Sequence, residues 1–353
     1  MDASPGRVGR IAWVGVLAST LWCAGVVPCV AQSEIAQIAA GDDPEERPPW
    51  RGSVVELRNT VGVIGLDPDA ELTHDPYYAA TLSFRPRWWF GDIVNVAAFF
   101  GLIHEFTEAN TTTSEHETIV SDLTLQAQAR QVLTIPGLEI AVTPDLRLAF
   151  PTGKASRGRS LQTAIGPGLA LSRGFSLGDE GTLVLAYRAR FTALLHRYTD
   201  ASLETPFIPG DVDCRYSCSS GLRNTRYRVG QGGDIVYVPN SWLMVAIGYY
   251  HFTDFLYPRS PVSAQAEQGT ETGAFGVSYE ASDNTDVRFR SSFGIEVAVM
   301  PSSLLQLALG YETTSPQLAP DSTYYNPIYN RFSTVYFDLR LQVEGLVDAI
   351  EDL

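Results

Sequence analysis

Residues 182–195 read TLVLAYRARFTALL: Leu183, Leu185, Tyr187, Phe191 and Leu195 alternate with Arg188, Arg190 and Thr192. A period of two belongs to a β-strand, whose successive side chains point to opposite faces. One face is apolar along its whole length and the other carries two guanidinium groups, so this strand separates an apolar medium from water. The device recurs from Ser53 to Val343. In residues 138–150, Leu138, Ile140, Val142, Leu146, Leu148 and Phe150 alternate with Glu139, Ala141, Thr143, Asp145, Arg147 and Ala149.

A sandwich would press such apolar faces together, whereas one sheet closed on itself turns them toward hydrocarbon and encloses the charges. The expected fold is therefore all-β, an antiparallel up-and-down transmembrane barrel of about 12 strands, the even count keeping both ends on one side. Gly91-Asp92, Pro136-Gly137, Pro239 to Ser241 and Pro301 to Ser303 close short hairpins at one rim. Longer polar stretches, such as 107–118 and 196–225, gather at the other. Residues 272–280 also alternate, through Phe275, Val277 and Tyr279; they read as an extension of the loop before Asp286, and as a spanning strand they would raise the even count to 14.

A soluble secreted β-protein, the plainer alternative, would scatter its aromatics through the strands. Here Trp88, Trp89, Phe90 and Trp242 fall beside short turns, and Tyr77, Tyr78, Tyr257, Tyr324, Tyr325 and Tyr329 beside or within long loops. Two aromatic girdles belong at the two headgroup levels of a bilayer.

Residues 1–31 have the three regions of a secretory signal peptide: Arg7 and Arg10, an apolar stretch from Ile11 to Val27, then small residues to Ala31, after which cleavage is expected. An uncleaved anchor is the alternative, because the apolar stretch reaches the lower limit for a spanning helix. Pro28 before Cys29 does not suit a lipidated cysteine. Residues 32–52, with Asp42, Asp43, Glu45, Glu46, Pro48 and Pro49, read as an acidic flexible periplasmic lead-in. Residues 53–343 are the barrel and 344–353 an acidic tail.

The chain has 25 basic and 40 acidic residues and a net charge of −15. Nucleic acid is thereby excluded as a partner, since affinity for it comes from surface cations. Cys214 and Cys218, in the longest polar loop, suit a local disulfide in an oxidising envelope, with free thiols as the alternative. A metal site would need more ligands than they offer.

The stretch from Ser53 to Val343 resembles the Gram-negative outer-membrane barrels, porin-like and transporter-like, by pattern rather than by motif. The resemblance implies export to the bacterial outer membrane, insertion by a barrel-assembly machinery, a lipid surround and passage of small polar solutes. In that class the last strand usually ends at a terminal aromatic; here Glu344 to Leu353 follow it.

Alternation assigns to the lumen, as pore candidates, Arg58, Arg85, Arg87, Arg130, Arg147, Arg188, Arg190, Arg226, Arg228, Arg288, Arg290 and Arg340. It adds Glu56, Glu105, Asp122, Glu139, Asp145, Asp234, Glu296, Glu312 and Asp338. Charges so crowded must pair or stay wet. A wet lumen conducts small polar solutes with a weak anion bias. A lumen closed by pairing makes a structural, binding or adhesion barrel whose extracellular loops are the active surface. An outer-membrane lipid hydrolase is the third class: His104 and His251 lie on outward faces near the loop rim, but no nucleophile elbow such as G-x-S-x-G accompanies them. With no phosphate-binding glycine loop and no metal-ligand cluster, neither cofactor nor metal is expected.

A barrel of this kind migrates faster on a denaturing gel when unheated than when boiled, and sediments with outer membranes. Recovery of the protein in the soluble periplasmic fraction would contradict the fold.

Overall fold

The computed structural model describes residues 48–63, 77–107, 116–178, 181–202, 219–258, 286–316 and 324–351, together with the pairs Leu17–Ala18 and Ala31–Gln32. Cys214, Cys218, residues 272–280, the lead-in from Ser33 to Arg47 and most of the leader lie outside the described residues.

One antiparallel sheet closes on itself in 12 strands. In chain order they are β1 (Val54–Gly62), β2 (Tyr78–Arg85), β3 (Val94–Glu105), β4 (Leu123–Ala129), β5 (Ile140–Phe150) and β6 (Leu161–Ser176). There follow β7 (Thr182–His196), β8 (Thr225–Asn240), β9 (Leu243–Leu256), β10 (Val287–Val299), β11 (Leu305–Pro316) and β12 (Thr334–Gln342). Each pairs with its chain neighbours, and β12 returns to β1, with Thr334 opposite Gly62 and Gln342 opposite Val54. Pro86, which has no N–H to donate, interrupts β2, and the strand resumes as Arg87–Phe90 on the same partner.

The two faces differ as a membrane barrel requires. Leu185 and Phe191 are 41% and 45% exposed, whereas the side chains of Arg188 and Arg190 are at 14% and 23%. Leu102, Ile247, Leu309 and Phe337 share the exposed face, while Glu56, Glu296, Asp338 and Arg340 are buried on the other. In a single closed layer the buried face is the inner one.

The expected β4–β5 hairpin is interrupted on one arm. β4 stops at Ala129 and the chain resumes as Leu133–Ile135 opposite Ile140 to Val142 of β5, with Pro136 to Glu139 forming the turn. Gly137 and Glu139 there have φ of +79° and +52°. Glu139 is consequently exposed and bonds Arg173 at 3.3 Å, outside the lumenal set. Trp89 also departs from its girdle. Neighbours in a strand cannot share a face, so Trp88 and Phe90 are exposed while Trp89 is buried, its Nε1 donating to the Arg51 carbonyl at 3.0 Å.

The chain after β12 is helical: α2 (Val343–Glu351) takes in Val343, expected to end the strand, and most of the acidic tail. The Val343 N–H bonds the Ser53 carbonyl at 2.9 Å, seating the helix at the short-turn rim.

Inner-wall glycines set the spacing of large groups. Gly310 lies between Glu296 on β10 and Tyr336 on β12, and the Tyr336 hydroxyl donates across it to Glu296 Oε2 at 2.9 Å. A Cβ at Gly310 would stand 2.1 Å from the Tyr336 ring. Gly310→Val should therefore expel the ring and cost about 1–3 kcal/mol, as overpacking does. The readout is a lower denaturant midpoint for the folded band on an unheated gel; an unchanged midpoint would contradict this packing.

Candidate functional site: the inner wall of the barrel

Two walls with different chemistry line the interior. The first joins β10, β11, β12, β1 and β2, and its centre is the closing seam, where Asp338 faces Arg58 and Arg340 faces Glu56 in register. Arg58 grips Asp338 with Nε and Nη2, both at 2.8 Å, and reaches Glu312 at 3.5 Å. Arg340 grips Glu296 with Nη1 at 2.9 Å and Nη2 at 2.7 Å, and its Nε donates to Glu56 at 3.1 Å. Arg85 donates to Glu56 at 2.9 Å. The Arg58 guanidinium lies 3.9 Å over the Tyr336 ring. Bidentate forks of this kind are the strong form of the charge-assisted hydrogen bond, and they make the low exposure of Glu56, Glu296, Glu312 and Asp338 tenable.

The second wall runs from β5 to β10. Asp145 on β5 and Arg190 on β7 both stand opposite Gly168 on the strand between them. They meet across it at 2.6 Å, because a Cβ there would lie 2.5 Å from Asp145 Oδ2. Gly232 separates Arg188 from Tyr250 in the same way; Arg188 Nη1 donates to the tyrosine oxygen at 3.3 Å and Nη2 lies 3.3 Å from Asp234. Asp254 accepts from Arg228 Nη2 at 2.9 Å and from its Nε, and faces Arg288 in register. Arg147 donates to Gln126 at 3.3 Å, and Arg290 lies 4.8 Å over the Phe252 ring. A small cavity opens on this wall, with Arg147, Arg190, Arg228, Thr192 and Phe252 among its lining.

Several expected lumenal groups are elsewhere or differently employed. Arg226 is exposed, because the register slips between Thr225 and Tyr227, and it lies over the rings of Tyr227 and Tyr257. Arg130 occupies the turn after β4, its N–H bonded to the Ile93 carbonyl. Asp122 is buried beside the loop rather than on the open wall: it accepts from the Gly153 N–H at 2.8 Å and from the Ser156 hydroxyl, holding the short helix α1 (Lys154–Gly158). Burial raises its carboxyl pKa, against the lowering effect of those two hydrogen bonds. Glu105 is buried and accepts from the Thr107 hydroxyl at 3.2 Å. Arg87 is buried against Gly52 at the turn rim.

Asp254, Tyr250, Phe252 and Tyr336 were absent from the expected set. Alternation contained them: Asp338 and Arg340 inward require Tyr336 inward, and Asp254 stands opposite Arg228. Also unexpected is an apolar inner patch at the short-turn end, of Val184, Val236, Val238, Met244, Ala246, Ala298 and Ala308. On the outer face, His104 Nδ1 lies 2.9 Å from the Thr118 hydroxyl and His251 stacks on Phe289. Among the described residues no cluster of three or more potential metal ligands occurs.

Removing one member of the seam network strands its partners. Arg340→Met should destabilise the barrel by about 3–5 kcal/mol, because Glu296 would stay buried without the cation that grips it. Heat-modifiability at graded temperature measures it, and an unshifted transition would show that the network carries no stability.

No protein-family model matches the chain, and no curated protein matches it in sequence. Among solved structures it is similar to an outer-membrane channel from Pseudomonas putida F1, with 14% identity, a TM-score of 0.46, and coverage of 86% of this chain and 98% of the other. It is also similar to the NanC porin, with 11% identity, a TM-score of 0.43, and coverage of 82% and 98%. The KdgM porin in complex with disordered oligogalacturonate shows 9% identity, a TM-score of 0.37, and the same coverage. In architecture this chain is a closed 12-strand antiparallel β-barrel with an apolar exterior.

Proposed function

We propose that this protein is an outer-membrane channel for small polar solutes with a preference for anions. The observation that carries this is the separation of charge between the walls. On the seam wall, Arg58, Arg85 and Arg340 are engaged with Glu56, Glu296, Glu312 and Asp338. The β5–β10 wall, where the cavity opens, carries Arg147, Arg188, Arg190, Arg228, Arg288 and Arg290 against Asp145, Asp234 and Asp254. A solute following the open wall meets a positive potential, and rings or rows of fixed charge are what select ions in pores.

A closed scaffold is the second reading, favoured by the buried seam network and the apolar patch at the turn-side end. Strand number does not separate the two, since 12 lies between barrels filled by side chains and those that leave an aqueous channel.

Planar-bilayer recording with the purified protein decides between them. Discrete conductance steps are expected, with a reversal potential in a salt gradient showing anion preference. Replacing Arg188 and Arg190 together by Ala should shift that potential toward cations. Absence of steps at every voltage would favour the scaffold.

A further inference from the structure

We propose that the cavity on the β5–β10 wall is a binding site for an organic carboxylate that carries an apolar ring or chain. This rests on the channel assignment above and names the class of solute it serves. Arg147, Arg190 and Arg228 reach the cavity from β5, β7 and β8, and no acidic side chain is part of its lining. Asp145 and Asp254 instead hold Arg190 and Arg228 from beside it, which orients two guanidinium groups without covering the opening. Arg147 is held by the neutral Gln126. A planar guanidinium fork matches a planar carboxylate with two parallel hydrogen bonds, and the Thr192 hydroxyl adds a donor beside it.

Phe252, Ala149 and Ala164 make the apolar part of the lining. The Phe252 ring rests against the bare backbone at Gly230, where a Cβ would stand 3.0 Å from it, and Arg290 lies over the ring at 4.8 Å. Gly166 gives similar room to Thr192, with a hypothetical Cβ 2.8 Å from its Oγ1. A chloride or phosphate ion makes no use of these apolar groups, whereas a carboxylate bearing a ring or chain meets both kinds of lining.

Equilibrium binding to the purified full-length protein in detergent tests this, with benzoate as the probe. Benzyl alcohol tests the charge, and acetate and inorganic phosphate test the ring. Benzoate should bind saturably and at least about tenfold more tightly than any of the three, the scale of one lost charge-assisted contact. Arg147→Gln should weaken benzoate about tenfold, and Phe252→Ala should bring benzoate to the level of acetate while leaving acetate unchanged. Heat-modifiable migration certifies that each variant is folded; if Arg147→Gln is not, Thr192→Val serves, with a loss of about fivefold expected for one neutral hydrogen bond. Equal binding of phosphate and benzoate, or of benzyl alcohol and benzoate, would overturn the proposal, as would folded variants that bind benzoate unchanged. A protein that conducts but does not bind benzoate refutes the site alone. One that binds it without conducting refutes the channel and upholds the site.

Discussion

In a barrel one layer thick, a charge on the inner wall must find its partner on the inner wall, since alternate residues of the same strand are committed to the outer face. Register therefore governs the chemistry of this protein. At the seam the requirement is met directly, Asp338 lying opposite Arg58 and Arg340 opposite Glu56. The pairs that close the cylinder thus also compensate one another's charge at the seam.

Elsewhere partners are a strand apart, and glycine makes them neighbours. Gly168 lets Asp145 reach Arg190, Gly232 brings Arg188 to Tyr250, and Gly310 lets Tyr336 reach Glu296. Two strand spacings amount to about 10 Å, which long side chains cover only if nothing projects from the strand between. Gly232, Gly230 and Gly310 let Tyr250, Phe252 and Tyr336 lie along the wall instead of projecting into the lumen.

The two walls then divide the work. Around the seam, forked ion pairs of near-complete burial leave the charges engaged with one another. From β5 to β10, arginines outnumber carboxylates and leave a cavity lined by guanidinium groups and an aromatic ring. Loops contribute by anchoring: Asp122 ties the α1 segment to the start of β4 through the Gly153 N–H and the Ser156 hydroxyl. Gly153 fits there because a Cβ would lie 2.8 Å from Asp122 Oδ1.

The alternation in residues such as 182–195, with the turns between such runs, pointed by itself to a closed sheet of about 12 strands with an apolar exterior and to the face most of the arginines take, because a strand has only two faces. It failed where the period breaks. The bulge at Arg226, the turn through Glu139 and the helix beginning at Val343 are local choices of backbone that an alternating pattern does not encode. Only the tertiary structure decided which charges pair and where space remains. Pairing depends on the stagger between strands and on glycines between them, and both join residues as far apart in sequence as Arg58 and Asp338.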